Sequence, residues 1–227
     1  MATPLRRPIR SYVLRQSRTT PAQQRALSAL YPRYGVGFAH HRLNPREVFA
    51  RSAPLVLEIG SGMGETTVAI AKAHPQADFL AVEVHGPGVG ALLNAVEREK
   101  LANLRVIRHD ALEVLEQMIG DATLAAIHLF FPDPWPKKRH HKRRLVQPDV
   151  AALMARKLAP GGTLHAATDW ADYAEQMHAV FSAEPLLEPA ERGFTSRPPT
   201  KFASRGQRLG HAIRDLYIRR RTAPAAR

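Results

Sequence analysis

From residue 50 onward the chain changes its hydrophobic period repeatedly, and that alternation narrows the fold more than any other feature. Short apolar runs of strand length recur at residues 55–59 (LVLEI), 79–84 (FLAVEV), 104–108 (LRVIR), 125–131 (AAIHLFF) and 163–168 (TLHAAT). Between them lie segments with helical spacing. Residues 65–74 and 112–118 read as helices, and within 88–100 Val89, Leu92, Leu93 and Val96 share one face. Pro148 and Asp149 open a helix carrying Val150, Leu153, Met154 and Leu158 on one side, and APGG at 159–162 ends it. A further helix sets Tyr173, Met177, Val180 and Phe181 on one stripe. Strands alternating with helices mean βαβ units, hence an α/β fold with a mostly parallel sheet and helices on both faces. Such sheets bind ligands beyond the C-terminal ends of their strands. Chemistry is therefore expected just past each strand.

Past the first strand the chain runs LEIGSGMGE, residues 57–65. Gly60, Gly62 and Gly64 let backbone approach a ligand closely at a helix start. A dinucleotide-binding turn, G-x-G-x-x-G, would place a third glycine where this chain has Glu65. A carboxylate there repels a pyrophosphate, so NAD and FAD are disfavoured. Glu83 ends the second strand, where a carboxylate can accept from both hydroxyls of a ribose. Asp110 follows the third strand, either as a helix N-cap or as the acceptor of an adenine amino group. With Glu58 before the glycines, three acids line the same edge. That is the pattern of a sheet that binds S-adenosylmethionine, whose sulfonium and ammonium suit a carboxylate-rich pocket.

Past the fourth strand comes LFFPDPWPKKRHHKRR, residues 129–144. Asp133 sits where a methyl acceptor would lie, and Pro132 and Pro134 fix φ around it. Trp135 either stacks on a base or caps the core. Lys137 to Arg144 then bring six cations and two histidines in eight residues. A charge run is usually a solvated face. This one begins four residues from the expected reaction centre, which favours contacts to nucleic-acid phosphates. The His140–His141 pair has no cysteine or carboxylate cluster near it in sequence, so no metal site is expected.

Composition points the same way. Thirty-three Lys and Arg against twenty Asp and Glu give a formal net charge of +13. A chain of pI near 10.8 is suited to a polyanionic partner. There is no cysteine, which excludes disulfides and thiol nucleophiles and fits a cytoplasmic setting. No apolar run approaches the roughly 20 residues of a membrane span. Nine arginines precede the first acid, Glu47. Such a start has the composition of a transit peptide, but Thr20 and Pro21 form a helix-start signal and favour a structured basic arm. The expected organisation is a basic arm with a short helix over residues 1–46 and a methyltransferase domain over 47–227, as a monomer or homodimer.

GSGMGE, EVHGPGVG (83–90), the 129–144 stretch, ATDW (167–170), RPPTKF (197–202) and RGQRLGH (205–211) resemble the bacterial tRNA (guanine-N7-)-methyltransferase family. RPIRSYVLRQSRTTPAQQRAL and YPRYG resemble its N-terminal part, so the likeness covers nearly the whole chain. It implies a Rossmann-like class I methyltransferase sheet and transfer of methyl from S-adenosylmethionine to N7 of a guanine in the variable loop of tRNA. By that resemblance Glu58, Glu83, Asp110 and Asp133 contact the cofactor, and Asp133 is also the catalytic acid. Lys137, Asp169, Thr200, Lys201 and Phe202 contact substrate, and Arg139, His140, His141, Lys142, Arg143 and Arg144 bind RNA. The chain departs from the family at Ala203, where the segment usually reads TKFE. Two other readings stand beside this one. PDPW is similar to the acid-Pro-Pro-aromatic turn of amino-nitrogen methyltransferases, and Ala203 keeps open a catalytically silent RNA-binding protein on the same fold.

Overall fold

The computed structural model describes residues 11–12, 18–198 and 212–222. The five expected strands are β1 (Leu55–Ile59), β2 (Asp78–Val82), β3 (Leu104–Ile107), β4 (Leu124–Phe130) and β5 (Leu158–Thr168). Two more were not expected from the pattern: β6 (Leu187–Pro189) and β7 (Arg214–Arg220). The sheet order is β3-β2-β1-β4-β5-β7-β6; the first five strands are parallel, and β7 runs antiparallel to both its neighbours. In β7 only Ile218 is buried, which is why RDLYIRR carries no strand-like apolar run.

The crossover helices are α4 (Glu65–Ala73), α5 (Gly86–Glu99), α6 (Ala111–Gln117) and α7 (Pro148–Lys157), with α8 (Ala171–Ala183) after β5. The stripe Val89, Leu92, Leu93 and Val96 is fully buried against one sheet face, and Val150, Leu153, Met154, Tyr173, Met177 and Phe181 are buried against the other. Leu158 differs from the expectation. It leaves the helix with ψ 141 and begins β5, because Pro160 cannot extend the helical backbone.

N-terminal to the sheet lie α1 (Pro21–Ala29), α2 (Tyr31–Tyr34) and α3 (Pro45–Phe49). Thr20 caps α1 in a reciprocal box with Gln23, with Pro21 in the first turn. Ala26 of α1 and Tyr34 of α2 join the core, and Val36 donates to the Val106 carbonyl at 2.8 Å. No helix among the described residues is long and apolar enough to cross a membrane.

Strand order reverses between β1 and β4, since their crossovers run to opposite sides. Open α/β sheets bind ligands in the cleft at that reversal, beyond the strand ends. Here the cleft is bounded by Gly60 after β1 and Phe131 after β4.

Candidate functional site

Beyond β1 the backbone turns through Gly60, Gly62 and Gly64 at φ +75°, +56° and +82°. The three positions differ in what they require. A Cβ on Gly60 or Gly62 would meet nothing within 4 Å, so these two leave open space beside bare backbone. A Cβ on Gly64 would stand 2.5 Å from Leu92 Cδ1, so this glycine lets α4 lie against α5. The space forms a cavity of about 280 Å³ lined by Glu58, the glycine turn, Glu65, Phe130 and Phe131.

Glu58 is 4% exposed on β1. Burial pushes its carboxyl up to about 7; the Thr67 hydroxyl opposes the rise and the charge of Glu83 adds to it. Its Oε2 is buried with no hydrogen-bond partner among the described residues. Glu83, just past β2, accepts from the Gly62 N–H at 2.7 Å through Oε2 and from the His85 N–H at 2.8 Å through Oε1. Those bonds orient the carboxylate, and each oxygen keeps a lone pair for a ligand hydroxyl. Asp110 caps α6 by accepting from the Leu112 N–H at 2.8 Å through Oδ1, and Oδ2 takes no part in the cap. Of the two sequence readings the N-cap is the one observed, and the capped end of α6 is also a wall of the cleft.

A second cavity of about 260 Å³ adjoins the first and shares Gly60, Phe130 and Phe131 with it. Glu83, Asp110 and Asp133 line it. Asp133 is exposed at the tip of a turn whose backbone is strained on both sides: Phe131 has φ 52° and Trp135 φ 46°. Each precedes a proline, which normally forces the preceding residue into extended geometry. Left-handed non-glycine residues cost about 1–3 kcal/mol each and persist only where surroundings over-determine them. Three contacts do so here. The Phe131 N–H donates to the Ala167 carbonyl at 2.8 Å, the Arg144 Nε to the Pro134 carbonyl at 2.8 Å, and the Trp135 Nε1 to the Ser11 carbonyl at 3.0 Å. Stiffness was expected from the prolines alone; these distant partners add to it.

The basic block forms a 3₁₀ helix, Lys138–Arg143, rather than a loop. Lys137, Lys138, Arg139, Lys142 and Arg143 are exposed. Arg143 lies 4.9 Å above the Trp135 ring and the His140 ring meets its edge at 5.9 Å. Desolvation, then the surrounding cations Arg139 and Arg143, holds the His140 imidazole below its usual range. Arg144 departs from its neighbours and from the RNA-contact expectation. It is 3% exposed. Besides Pro134, its guanidinium reaches Gln176 Oε1 at 2.8 Å, Asp172 Oδ1 at 2.7 Å and His141 Nε2 at 3.1 Å, and lies 4.7 Å from the Tyr173 ring. A guanidinium so enclosed has no face left for a phosphate; it ties the acceptor turn to α8.

Lys137 and Asp169 line neither cavity, and Asp169 follows directly on β5. Thr200, Lys201, Phe202 and Ala203 lie outside the described residues. Among the described residues no three His, Asp or Glu side chains are grouped as a metal site would need. Sequence reasoning missed Ser11 and Tyr12, which line the second cavity with His85 and His109. The histidines were findable, since both sit just past strands. Ser11 and Tyr12 carried no signal, because only folding brings the arm to the cleft.

Residues 52–216 match a family model described as "Putative methyltransferase". The chain is 52% identical over 219 residues to the tRNA (guanine-N(7)-)-methyltransferase of Nitrosospira multiformis, covering 95% of this chain and 96% of that protein. It is 55% identical over 217 residues to the protein of the same name from Thiobacillus denitrificans, covering 94% and 96%. Among solved structures it is similar to the 16S rRNA methyltransferase KamB, with a TM-score of 0.57 at 15% identity over 83% of this chain and 99% of that one. The aminoglycoside resistance methyltransferase NpmB1 has a TM-score of 0.56 at 14% identity over 81% and 95%. These two share the class I methyltransferase sheet. The strand-end acids, the strained turn and the near full-length relatives agree: the chain belongs to the tRNA (guanine-N(7)-)-methyltransferase family.

Proposed function

We propose that this protein transfers a methyl group from S-adenosylmethionine to N7 of a guanine in tRNA, in the variable loop. One observation carries the reading. A carboxylate on a braced turn, Asp133, stands in the wall of a cleft whose other walls are a glycine turn and two acids, and exposed cations begin four residues further on.

The residues fit the cofactor. The buried, unpartnered Oε2 of Glu58 suits an ammonium group, the open sides of Gly60 and Gly62 admit it against backbone, and Glu83 and Asp110 suit a ribose and an adenine amino group. When bound, S-adenosylmethionine supplies an electrophilic methyl on a sulfonium. Guanine N7 has an in-plane lone pair and no proton to lose at neutral pH, so no strong base is needed. The protein's share is alignment, which alone lowers a barrier by several kcal/mol. Asp133 accepts hydrogen bonds from the guanine N1–H or amino group and stabilises the positive charge that develops on the purine. The exposed Lys137, Arg139, Lys142 and Arg143 hold phosphates of the RNA, fixing its register without reading its bases. Tested with methyl-labelled S-adenosylmethionine and an unmodified tRNA transcript, the protein is expected to yield 7-methylguanosine on nucleoside analysis. Label on an exocyclic amino nitrogen would replace this reading with amino methylation, and tRNA binding without any methyl transfer would replace it with a silent RNA-binding protein.

A further inference from the structure

Behind the acceptor turn lies a buried polar cluster that the reading above does not use. His128 of β4 and His165 of β5 are neighbours in register, each 1% exposed. The His128 Nε2 and the Thr195 hydroxyl are 3.0 Å apart. Asp215 of β7 lies 2.7 Å from His165 Nε2 through Oδ1 and accepts both arms of a fork from Arg197, Nε to Oδ1 at 3.1 Å and Nη2 to Oδ2 at 2.9 Å. The Arg197 side chain is 9% exposed, and its guanidinium carbon stands 5.3 Å from the Phe131 ring and 6.0 Å from Phe130. His165 meets the Phe130 ring edge-on at 4.9 Å.

The Arg197 side of the pair is buried and the Asp215 side is open to solvent, so the pair contributes little to stability. What a forked pair supplies is geometry. A planar guanidinium bound at both arms has one orientation, and an aromatic ring packed against its face inherits that orientation. The ring here belongs to Phe131, the left-handed residue at which the chain leaves β4 and enters the turn carrying Asp133.

We propose that Arg197 is a positioning residue for methyl transfer: locked by Asp215 with His165 behind it, it fixes Phe131 and thereby the turn that presents Asp133 to the base. This rests on the role of Asp133 given above. Arg197 lines neither cavity, so it acts through Phe131 and not on the substrates.

The test is single-turnover methyl transfer to unmodified tRNA by the full chain, with the affinities for S-adenosylmethionine and tRNA and the thermal midpoint measured alongside. Arg197→Lys keeps the charge but loses the fork and the flat face. It is expected to slow the chemical step by roughly 10- to 100-fold, as a misplacement of about 1 Å can, with both affinities changed by less than about 3-fold, under 0.7 kcal/mol. Asp215→Asn removes the other half of the pair and should slow the step to a similar degree. The double variant should be no slower than the slower single, since both act through one contact. If Arg197→Lys does not fold, Asp215→Asn decides by the same criteria. A wild-type rate in a folded variant overturns the proposal, and so does a rate loss matched by an equal loss of cofactor affinity, which would mark the pair as part of the cofactor pocket. A wild-type protein that forms no 7-methylguanosine overturns the underlying function and this inference with it; 7-methylguanosine formed at the same rate by wild type and variants overturns the inference alone.

Discussion

At the β1–β2–β3 end of the cleft, shape comes from backbone. Gly60 and Gly62 turn where no side chain could follow without strain, and Glu83 and Asp110 are oriented by the N–H groups of Gly62, His85 and Leu112. At the β4–β5 end, shape comes from side chains far away in sequence. The turn from Phe131 to Trp135 adopts left-handed geometry without glycine, and Arg144, Arg197 and Ser11 hold it there. The first end is relaxed and open. The second stores strain and is braced, which is the arrangement expected where a group must be held against the pull of water and of the reaction itself. A small, flexible cofactor can adapt to a fixed cradle; a base swinging on a large RNA needs the protein to be the rigid partner.

Arg144 is where the two ends differ most in what holds them. If this residue is a brace, Arg144→Met should cost roughly 1–3 kcal/mol of stability, the range for leaving partly buried acceptors such as the Pro134 carbonyl and Gln176 Oε1 unpaired, and slow methyl transfer. The slope of tRNA affinity against salt should stay unchanged. A stable Arg144→Met protein with a salt slope lower by about one unit would make it a phosphate contact after all.

Glu58 sharpens the other side. Burial lets its carboxyl hold its proton up to about pH 7, against an ordinary value of 4.5. The folded chain therefore binds more protons than the unfolded chain between those values, and without cofactor its stability should fall as pH rises through that window, by up to about 3 kcal/mol. Glu58→Gln should flatten that fall. If the unpartnered oxygen takes the cofactor's ammonium, binding at pH 7 should release up to about half a proton, read by calorimetry in buffers of different ionisation enthalpy. Equal pH profiles for wild type and Glu58→Gln would remove Glu58 from the account.

The smallest effect on the fold is expected at the exposed cations. Replacing Lys137, Arg139, Lys142 and Arg143 by Ala should change stability by less than about 0.5 kcal/mol. The same change should lower the log–log salt slope of tRNA binding by up to roughly 3–4 units. An unchanged slope would return the block to an ordinary solvated surface.

The contrast between the two ends also explains what the sequence revealed. Glycine spacing, strand-end acids and helical stripes are local, so the five parallel strands, the glycine turn, Glu58, Glu83, Asp110 and the position of Asp133 could be read from order alone. The braces span 124 residues from Ser11 to Trp135, 32 from Arg144 to Gln176 and 18 from Arg197 to Asp215. No periodicity records such partners. Arg144 in particular looks like its five cationic neighbours, and only its burial sets it apart. The antiparallel β7 was hidden for a related reason: it shows one buried residue, Ile218, among charged ones.

Asp133 is where the account is most exposed. Asp133→Asn keeps the shape of the side chain and one acceptor oxygen, but removes the charge and turns a donor toward the base. The turn should survive, since Phe131, Pro134 and Trp135 stay held by Ala167, Arg144 and Ser11. In single-turnover methyl transfer to unmodified tRNA, with tRNA and S-adenosylmethionine both saturating, the rate is expected to fall by about 10²–10³, the usual cost of losing one fixed electrostatic contact at a reaction centre. The loss should be the same across neutral and mildly alkaline pH, because no proton is taken from N7. A wild-type rate for Asp133→Asn would contradict the account, and the strained turn would then have no role in the chemical step.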